Sequence, residues 1–353
     1  MKTGLNLVEL AKKIEGNRAL KHDLIAETPA MEMLADADGV VSLNVAGAGG
    51  DSDQRFPILP VAHDQIAARL KIPARYYGRM QADAPSLLAN NVNRWFKDEP
   101  EKRMLRTLGG DLRAFLSNKY QRIDNEEIAN VTLPILGKIE GIQIASAQIT
   151  DRRMYIQAVS PRLQGDVKVG DTVQAGVIIS NSEVGLGSVS IQPIIYRLIC
   201  LNGMIVPDGK FRAHHVGGRI DNSQDLWSDE AKQADDRAIL LKVRDVLTAA
   251  LSEASFTATL DKMRALTGAT VKGDPIKAVE ILAKKIGATE DERGGILRSL
   301  IEGGDLSAWG FLNAVTHQAH DAATYDRSVD FEAMGGSLLN LAKSEWSEIL
   351  EAA

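Results

Sequence analysis

Apolar positions along this chain recur first with a helical period, then with a strand period, and finally with a helical period again. Leu7, Leu10 and Ile14 share one face of a helix expected over residues 6–28, closed by a turn near Pro29. The β-branched run at 40–45 predicts a strand ending in the loop GAGGDSD, with FPILPVA as its partner strand. Residues 63–70 read as a helix broken at Ile72-Pro73. RMLRTL and LRAFLSNKY are strand-like runs separated by Gly109-Gly110-Asp111, a hairpin signal, and IQIASAQI and RMYIQAV flank Thr150-Asp151 as a second hairpin. Between the hairpins, Asp124 can cap a helix over residues 125–138. The runs VQAGVIISNSEV and GSVSIQPIIYRLIC predict longer strands, with Gly185 and Gly187 marking a turn or bulge.

After Arg219 the pattern turns helical. Ser228 is the expected cap of a long helix with Leu240, Val243, Leu247 and Leu251 on one face. Asp274-Pro275 opens a further helix that Gly287 ends, Thr289 and Asp305 start two more, and a last one runs through SLLNLAKSEWSEIL. Strands in hairpin order with helices packed on them predict an α+β fold with an antiparallel, hairpin-rich core and an all-helical C-terminal region. The expected division is a core domain of residues 1–222 and a helical domain of residues 223–353, joined by the polar link near 219–228.

Charge sharpens this picture. The 353 residues carry a net charge of −6, unevenly spread. Residues 1–100 sum to −1; residues 101–220 hold 15 Lys/Arg against 11 Asp/Glu, or +4; residues 221–353 sum to −9. The middle segment is where a polyanion would bind, and the acidic helices are where a protein partner would. No apolar run approaches a membrane span, and the N-terminal segment lacks the apolar core of a secretory signal, so a cytoplasmic location is expected. The single cysteine, Cys200, reads as a buried small hydrophobe.

Recognisable catalytic chemistry is absent from the pattern. GAGGDS follows a strand, but the chain continues into DQRFPILP, whose prolines oppose the helix that a phosphate loop needs; a hairpin loop is the simpler reading. His317, His320 and Asp321 could face one metal ion, yet THQAHD lacks the glutamate of a hydrolytic zinc helix, and a structural histidine pair is favoured. His214-His215, beside Lys210 and Arg212, reads as a loop. Asp124, Glu126 and Glu127 suit a helix first turn rather than an acid pair. Ser180-Asn181-Ser182-Glu183 is a polar insert between apolar strands that either lines a pocket or makes a turn. Neither an enzymatic activity nor a cofactor is expected.

The most informative pattern is alternation. In LRAFLSNK, Leu112, Ala114 and Leu116 point one way, and Arg113, Phe115, Ser117 and Lys119 the other; in RRMYIQA, Met154, Ile156 and Ala158 oppose Arg153, Tyr155 and Gln157. Each strand then has an apolar face for the core and a second face that mixes cations with an aromatic ring. Cations neutralise phosphates and rings stack on unpaired bases, so the combination suits single-stranded DNA. On this reading Arg103, Arg106, Arg113, Lys119, Arg122, Arg152 and Arg153 contact phosphates while Phe115 and Tyr155 stack on bases. The competing reading buries both rings beneath helices.

Four blocks in order, LLANNVNRW, RTLGGDLRAFLSNKYQRIDNEEI, SNSEVGLGSVSIQPIIYRLICLNGM and SAWGFLNAVTHQAH, resemble the phage- and plasmid-borne family built on the domain of unknown function numbered 932, over residues 20–340. The resemblance implies a mobile-element origin and supplies no catalytic residue. A looser likeness of architecture to phage single-strand annealing proteins implies a DNA-metabolism role, strand annealing and a homo-oligomer. The alternative is a non-enzymatic factor that binds a host or phage protein through its acidic helices.

Overall fold

The computed structural model describes residues 2–48, 52–206, 212–213 and 229–352. Helix α1 (Leu7–Leu20) runs directly into strand β1 (Lys21–Glu27). The helix expected as far as residue 28 therefore stops at Leu20. The residues beyond it extend because they pair antiparallel with β5 (Lys102–Leu108), from Lys21 opposite Leu108 to Glu27 opposite Lys102. The hairpin partner β6 (Asp111–Ser117) completes a three-stranded sheet in the order β1-β5-β6.

A second three-stranded sheet joins β2 (Met31–Ala35), β3 (Val41–Val45) and β4 (Gln54–Pro57). FPILPVA is thus split: β4 ends at Pro57, and α2 (Pro60–Arg69) begins at Pro60, a position where the missing N–H costs nothing. Helices α3 (Ala74–Asp83) and α4 (Pro85–Asp98) follow. Leu43, Phe56, Ile66, Leu88 and Phe96 from this part close on Leu105, Leu112 and Phe115 of the first sheet, so the two small sheets share one core.

Helix α5 (Asn125–Leu136) leads to the large sheet, in which β7 (Gln143–Ile149), β8 (Met154–Lys168), β9 (Asp171–Asn181), β10 (Val189–Arg197) and β11 (Asn202–Ile205) are neighbours in sequence order. Strand β12 (Arg212–Ala213) pairs with the start of β10. Met154, Ile156, Ala158, Val177 and Ile179 face the core shared with α1, α5 and α6 (Asp229–Ala250). Further along the same face, Val173, Ala175, Ile195 and Met204 pack against α7 (Glu253–Thr267) and α10 (Ala308–His317). The opposite face carries Tyr155, Ile178 and Ile194 against α11 (Tyr325–Leu338). Helices α8 (Pro275–Ile286), α9 (Glu290–Gly303) and α12 (Lys343–Leu350) join the same C-terminal core through Val279, Ile296 and Trp346.

The fold is α+β, with antiparallel sheets, packed helices and a helical C-terminal region. The helices beyond residue 229 do not keep a core to themselves, because α6 and α7 lie against one face of the large sheet and α11 covers the other. The polar link at 219–228, with the expected Ser228 cap, and His214-His215 lie outside the described residues. Asp274, Pro275, Gly287 and Thr289 act as the pattern predicts, but α10 is capped by Ser307 rather than Asp305. SLLNLAKSEWSEIL is broken between α11 and α12 instead of forming one helix. Cys200 is half-buried rather than buried, with its sulfur accepting from Arg197 Nη1 at 3.1 Å.

Helix α11 meets the sheet without spacer side chains. A methyl group on Gly336 would lie 1.7 Å from the Ile205 carbonyl oxygen, so Gly336→Ala should lower stability by about 1–3 kcal/mol or more in urea unfolding, and an unchanged midpoint would contradict this packing. One turn earlier, Glu332 is fully buried and accepts from Gln157 Nε2 at 2.7 Å. Burial pushes its carboxyl up from 4.5 to about 7. As pH rises through 4.5 the unfolded chain releases this proton while the native chain keeps it until about 7, so stability falls across that window and then levels off. At roughly 1.4 kcal/mol per pH unit the loss is about 3 kcal/mol. Urea unfolding from pH 4.5 to 8 should show the decline in the wild type, with Glu332→Gln lacking this component; parallel pH profiles would refute the assignment.

Candidate anion-binding cavity

The alternation along β6 is interrupted. Arg106 pairs with Ala114 and Thr107 with Leu112, which leaves Arg113 as an extra residue, a β-bulge. A bulge shifts the side-chain parity of everything beyond it. Leu112 and Phe115 consequently lie in one core, while Ala114 and Leu116 lie in another with Met104 and Val184. The face expected to mix cations and a ring does not form on this strand, and Phe115 is buried, stacked on Phe96 with Arg103 over its ring at 4.8 Å.

The bulge turns Arg113 toward the loop after β9. There Glu183, itself buried, accepts from Arg113 Nη1 at 2.7 Å through Oε2. Its Oε1 takes the Asn125 backbone N–H at 2.8 Å and the Lys21 ammonium. The Glu183 carbonyl accepts from Arg106 Nη1 at 2.9 Å. Arg106 is fully buried and reaches Asp23 through Nε at 2.9 Å and Asp124 through Nη2 at 2.7 Å. Burial alone would raise the Asp124 carboxyl, but the Arg106 and Lys21 charges outweigh it and hold Asp124 below its ordinary range. Three cations and three carboxylates are thereby matched.

A cavity of about 260 Å³ opens beside this cluster. Arg113, Lys13, Arg152 and Arg153 line it with Glu183 and Asp151, a surplus of two positive charges. Leu59, Pro60 and Val61 form an apolar wall at the N-terminus of α2, where no side chain caps the first amides. The Arg153 guanidinium lies against Gly187, where a methyl group would come within 2.8 Å of it, and donates to the Leu186 carbonyl. Lys13 donates to the Ile149 carbonyl at 2.7 Å. Arg152 is exposed and its guanidinium has no ion-pair partner among the described residues. The Arg113 side chain is 9% exposed, and its Nε and Nη2 donors have no acceptor among the described residues.

Of the nine residues nominated from the pattern, the fold brings Arg113, Arg152 and Arg153 together at this cavity. Arg106 is consumed by the buried ion pairs, and Arg103 lies over Phe115 with Nη1 3.7 Å from Glu101. Arg122 pairs with Asp23 at 3.4 Å, and Lys119 sits in the turn after β6. Tyr155 keeps the predicted face of β8, but α11 covers that face, and its hydroxyl donates to Asp326 at 2.7 Å. Neither Phe115 nor Tyr155 is placed to stack on a base. Lys13 and Glu183 were not nominated; Glu183 stood in the polar insert that could be read as pocket or turn, and Lys13 carried no signal beyond its charge.

The other chemistry-bearing groups are accounted for differently. His317 contacts Ser299 Oγ through Nδ1 at 3.3 Å, and His320 contacts the Cys200 carbonyl through Nε2 at 3.0 Å. No group of three His, Cys, Asp or Glu side chains that could hold a metal occurs among the described residues. The GAGGDS loop leads into β4 and not into a helix; residues 49–51 lie outside the described ones. A smaller cavity of about 180 Å³ beside α2 is lined by His63 and Tyr77 without any Lys or Arg, and burial pushes His63 down to about 4. No helix among the described residues is long and apolar enough to cross a membrane.

A family model described as "Domain of unknown function (DUF932)" matches residues 114–334, which takes in Arg113's neighbours on β6, the large sheet and most of the C-terminal helices. The chain belongs to this family. No curated protein and no solved structure matches it.

The buried ion cluster yields a stability test. Arg106→Ala takes the nearest cation from Asp23 and Asp124, leaving them Arg122 at 3.4 Å and Lys21 at 3.6 Å, and removes the buried donor to the Glu183 carbonyl, so it should cost about 3–5 kcal/mol in urea unfolding. A loss below about 1 kcal/mol would mean that the cluster contributes little.

Proposed function

We propose that this DUF932 chain binds single-stranded DNA by anchoring a phosphate in the cavity beside Arg113. The observation that carries the reading is the surplus of two positive charges lining the cavity, where the exposed Arg152 guanidinium has no ion-pair partner among the described residues. Several cations around one cavity favour an anionic ligand, and phosphate oxygens are strong acceptors for an exposed guanidinium. The uncapped start of α2 at the cavity wall supports the same class of ligand. A flexible strand can turn one phosphate into a small cavity, whereas a duplex holds its phosphates on a stiff surface. Base stacking by Phe115 and Tyr155 is not part of this proposal, since both rings are buried. The wider role we propose is the handling of DNA strands in phage or plasmid DNA metabolism, of which annealing is one form.

Fluorescence anisotropy with single-stranded and duplex oligonucleotides, titrated with salt, tests the reading. Single strands should bind more tightly, with affinity falling as salt rises. Arg152→Ala should weaken binding and reduce the salt slope by about one. An absence of single-strand binding at low salt would dismiss the proposal.

A further inference from the structure

We infer that Tyr76 and Trp95, on α3 and α4, form a stacking platform for unpaired bases of the strand whose phosphate enters the cavity, an inference that rests on the strand-binding reading above. The first observation is exposure. Among the Phe, Tyr and Trp side chains of the described residues, these two are the exposed ones, at 49% and 43%. A ring half in water offers an apolar face that a base can cover, and every base has such a face.

Position is the second. Leu87, Asn91 and Trp95 follow one another at intervals of four and share one stripe of α4. Asn91 Nδ2 donates to Met80 Sδ at 3.1 Å, which fastens that stripe to α3. Tyr76 stands one turn before Met80 and Trp95 one turn after Asn91, so each ring lies one turn from the same contact between the helices.

Charge is the third, and it selects the occupant. The two helices carry Arg75, Arg79, Arg94 and Lys97 against Asp83 and Asp98. Asp98 pairs with Arg94 at 2.6 Å and Asp83 with Arg79 at 3.7 Å, while Arg75 and Lys97 are exposed without an ion-pair partner among the described residues. Cations interleaved with rings suit a polyanion that also carries flat apolar groups, which is the chemistry of a single strand.

The platform is also continuous with the cavity. Pro60, at the start of α2, lines both the cationic cavity and the smaller one, which Ala74, Gly78 and Gln81 of α3 line as well. At about 100° of turn per residue, Arg75 and Arg79 project between that wall and Tyr76. Asp64 lines the smaller cavity and no Lys or Arg does, so the phosphates cross α3 over Arg75 and Arg79 and the bases reach Tyr76 and Trp95 beyond.

The test is competition anisotropy at low salt with a thymidine oligonucleotide and an abasic strand of the same length, both against one labelled strand. The thymidine strand should bind about tenfold or more tighter. The double substitution Tyr76→Ala with Trp95→Ala should bring the two strands to a common affinity. Trp95→Phe keeps a ring and should retain most of the preference. Tryptophan fluorescence of the wild type should fall when the thymidine strand binds, and Trp95→Phe should remove most of that change. Equal affinity of the wild type for both strands would overturn stacking, leave strand binding standing and favour a protein as the partner of the two rings. Binding of neither strand would remove the underlying reading as well. A preference that survives intact in the folded double variant would overturn the assignment to these rings.

Discussion

The arrangement of this protein depends on a buried, balanced set of charges. Lys21, Arg106 and Arg113 meet Asp23, Asp124 and Glu183 where the β1-β5-β6 sheet, the start of α5 and the loop after β9 converge. Charges removed from water are costly unless each finds an opposite partner and hydrogen bonds in good geometry. That requirement fixes the relative positions of three segments far apart in the chain. Arg106 spans all three, with one donor on Asp23, one on the Glu183 carbonyl and one on Asp124. The cluster explains why residues 21–27 extend into a strand when their neighbours are helical. Along β1, Lys21 and Asp23 must reach the cluster from a backbone already paired with β5.

What was legible in the sequence was local. The caps Asp274 and Thr289 sit directly before the helices they start, and Gly287 adopts the left-handed conformation that ends its helix. Hairpin turns at 109–111 and 150–153 are likewise encoded within a few residues. The alternation on β8 was also readable, and Met154, Ile156 and Ala158 do share a face opposite Tyr155 and Gln157. What covers that second face was not readable. Asp326 and Glu332, which take the Tyr155 hydroxyl and the Gln157 amide, lie 171 and 175 residues away.

The bulge at Arg113 marks a sharper limit. Strict alternation assumes an unbroken ladder, and one extra residue reverses every assignment beyond it. Leu112, Ala114 and Leu116 look like one apolar face in the sequence and are divided between two cores in the fold. A cation beside a ring on a strand has the same sequence signature whether it faces solvent or an ion pair. The difference lies in acids that are remote along the chain, Asp23 for Arg106 and Glu183 for Arg113, separated by 83 and 70 residues. For this reason nine nominated residues reduce to three at the cavity, while Lys13 and Glu183 enter only through the fold.

Arg113 stands where stability and binding meet. Its Nη1 is committed to Glu183, which is committed in turn to Lys21 and to the first amide of α5. Its other edge has no acceptor among the described residues. A lysine could neutralise Glu183, but its ammonium is a point charge without two parallel donors held in a plane. The ion pair with a buried carboxylate holds the guanidinium rigidly at the border of the cavity. The buried cluster, neutral in itself, leaves the field at the cavity to Lys13, Arg152, Arg153 and the opposing Asp151. The division between matched charges inside and surplus charge around the cavity lets one region serve as a structural joint and, on the proposed reading, as an anion receptor.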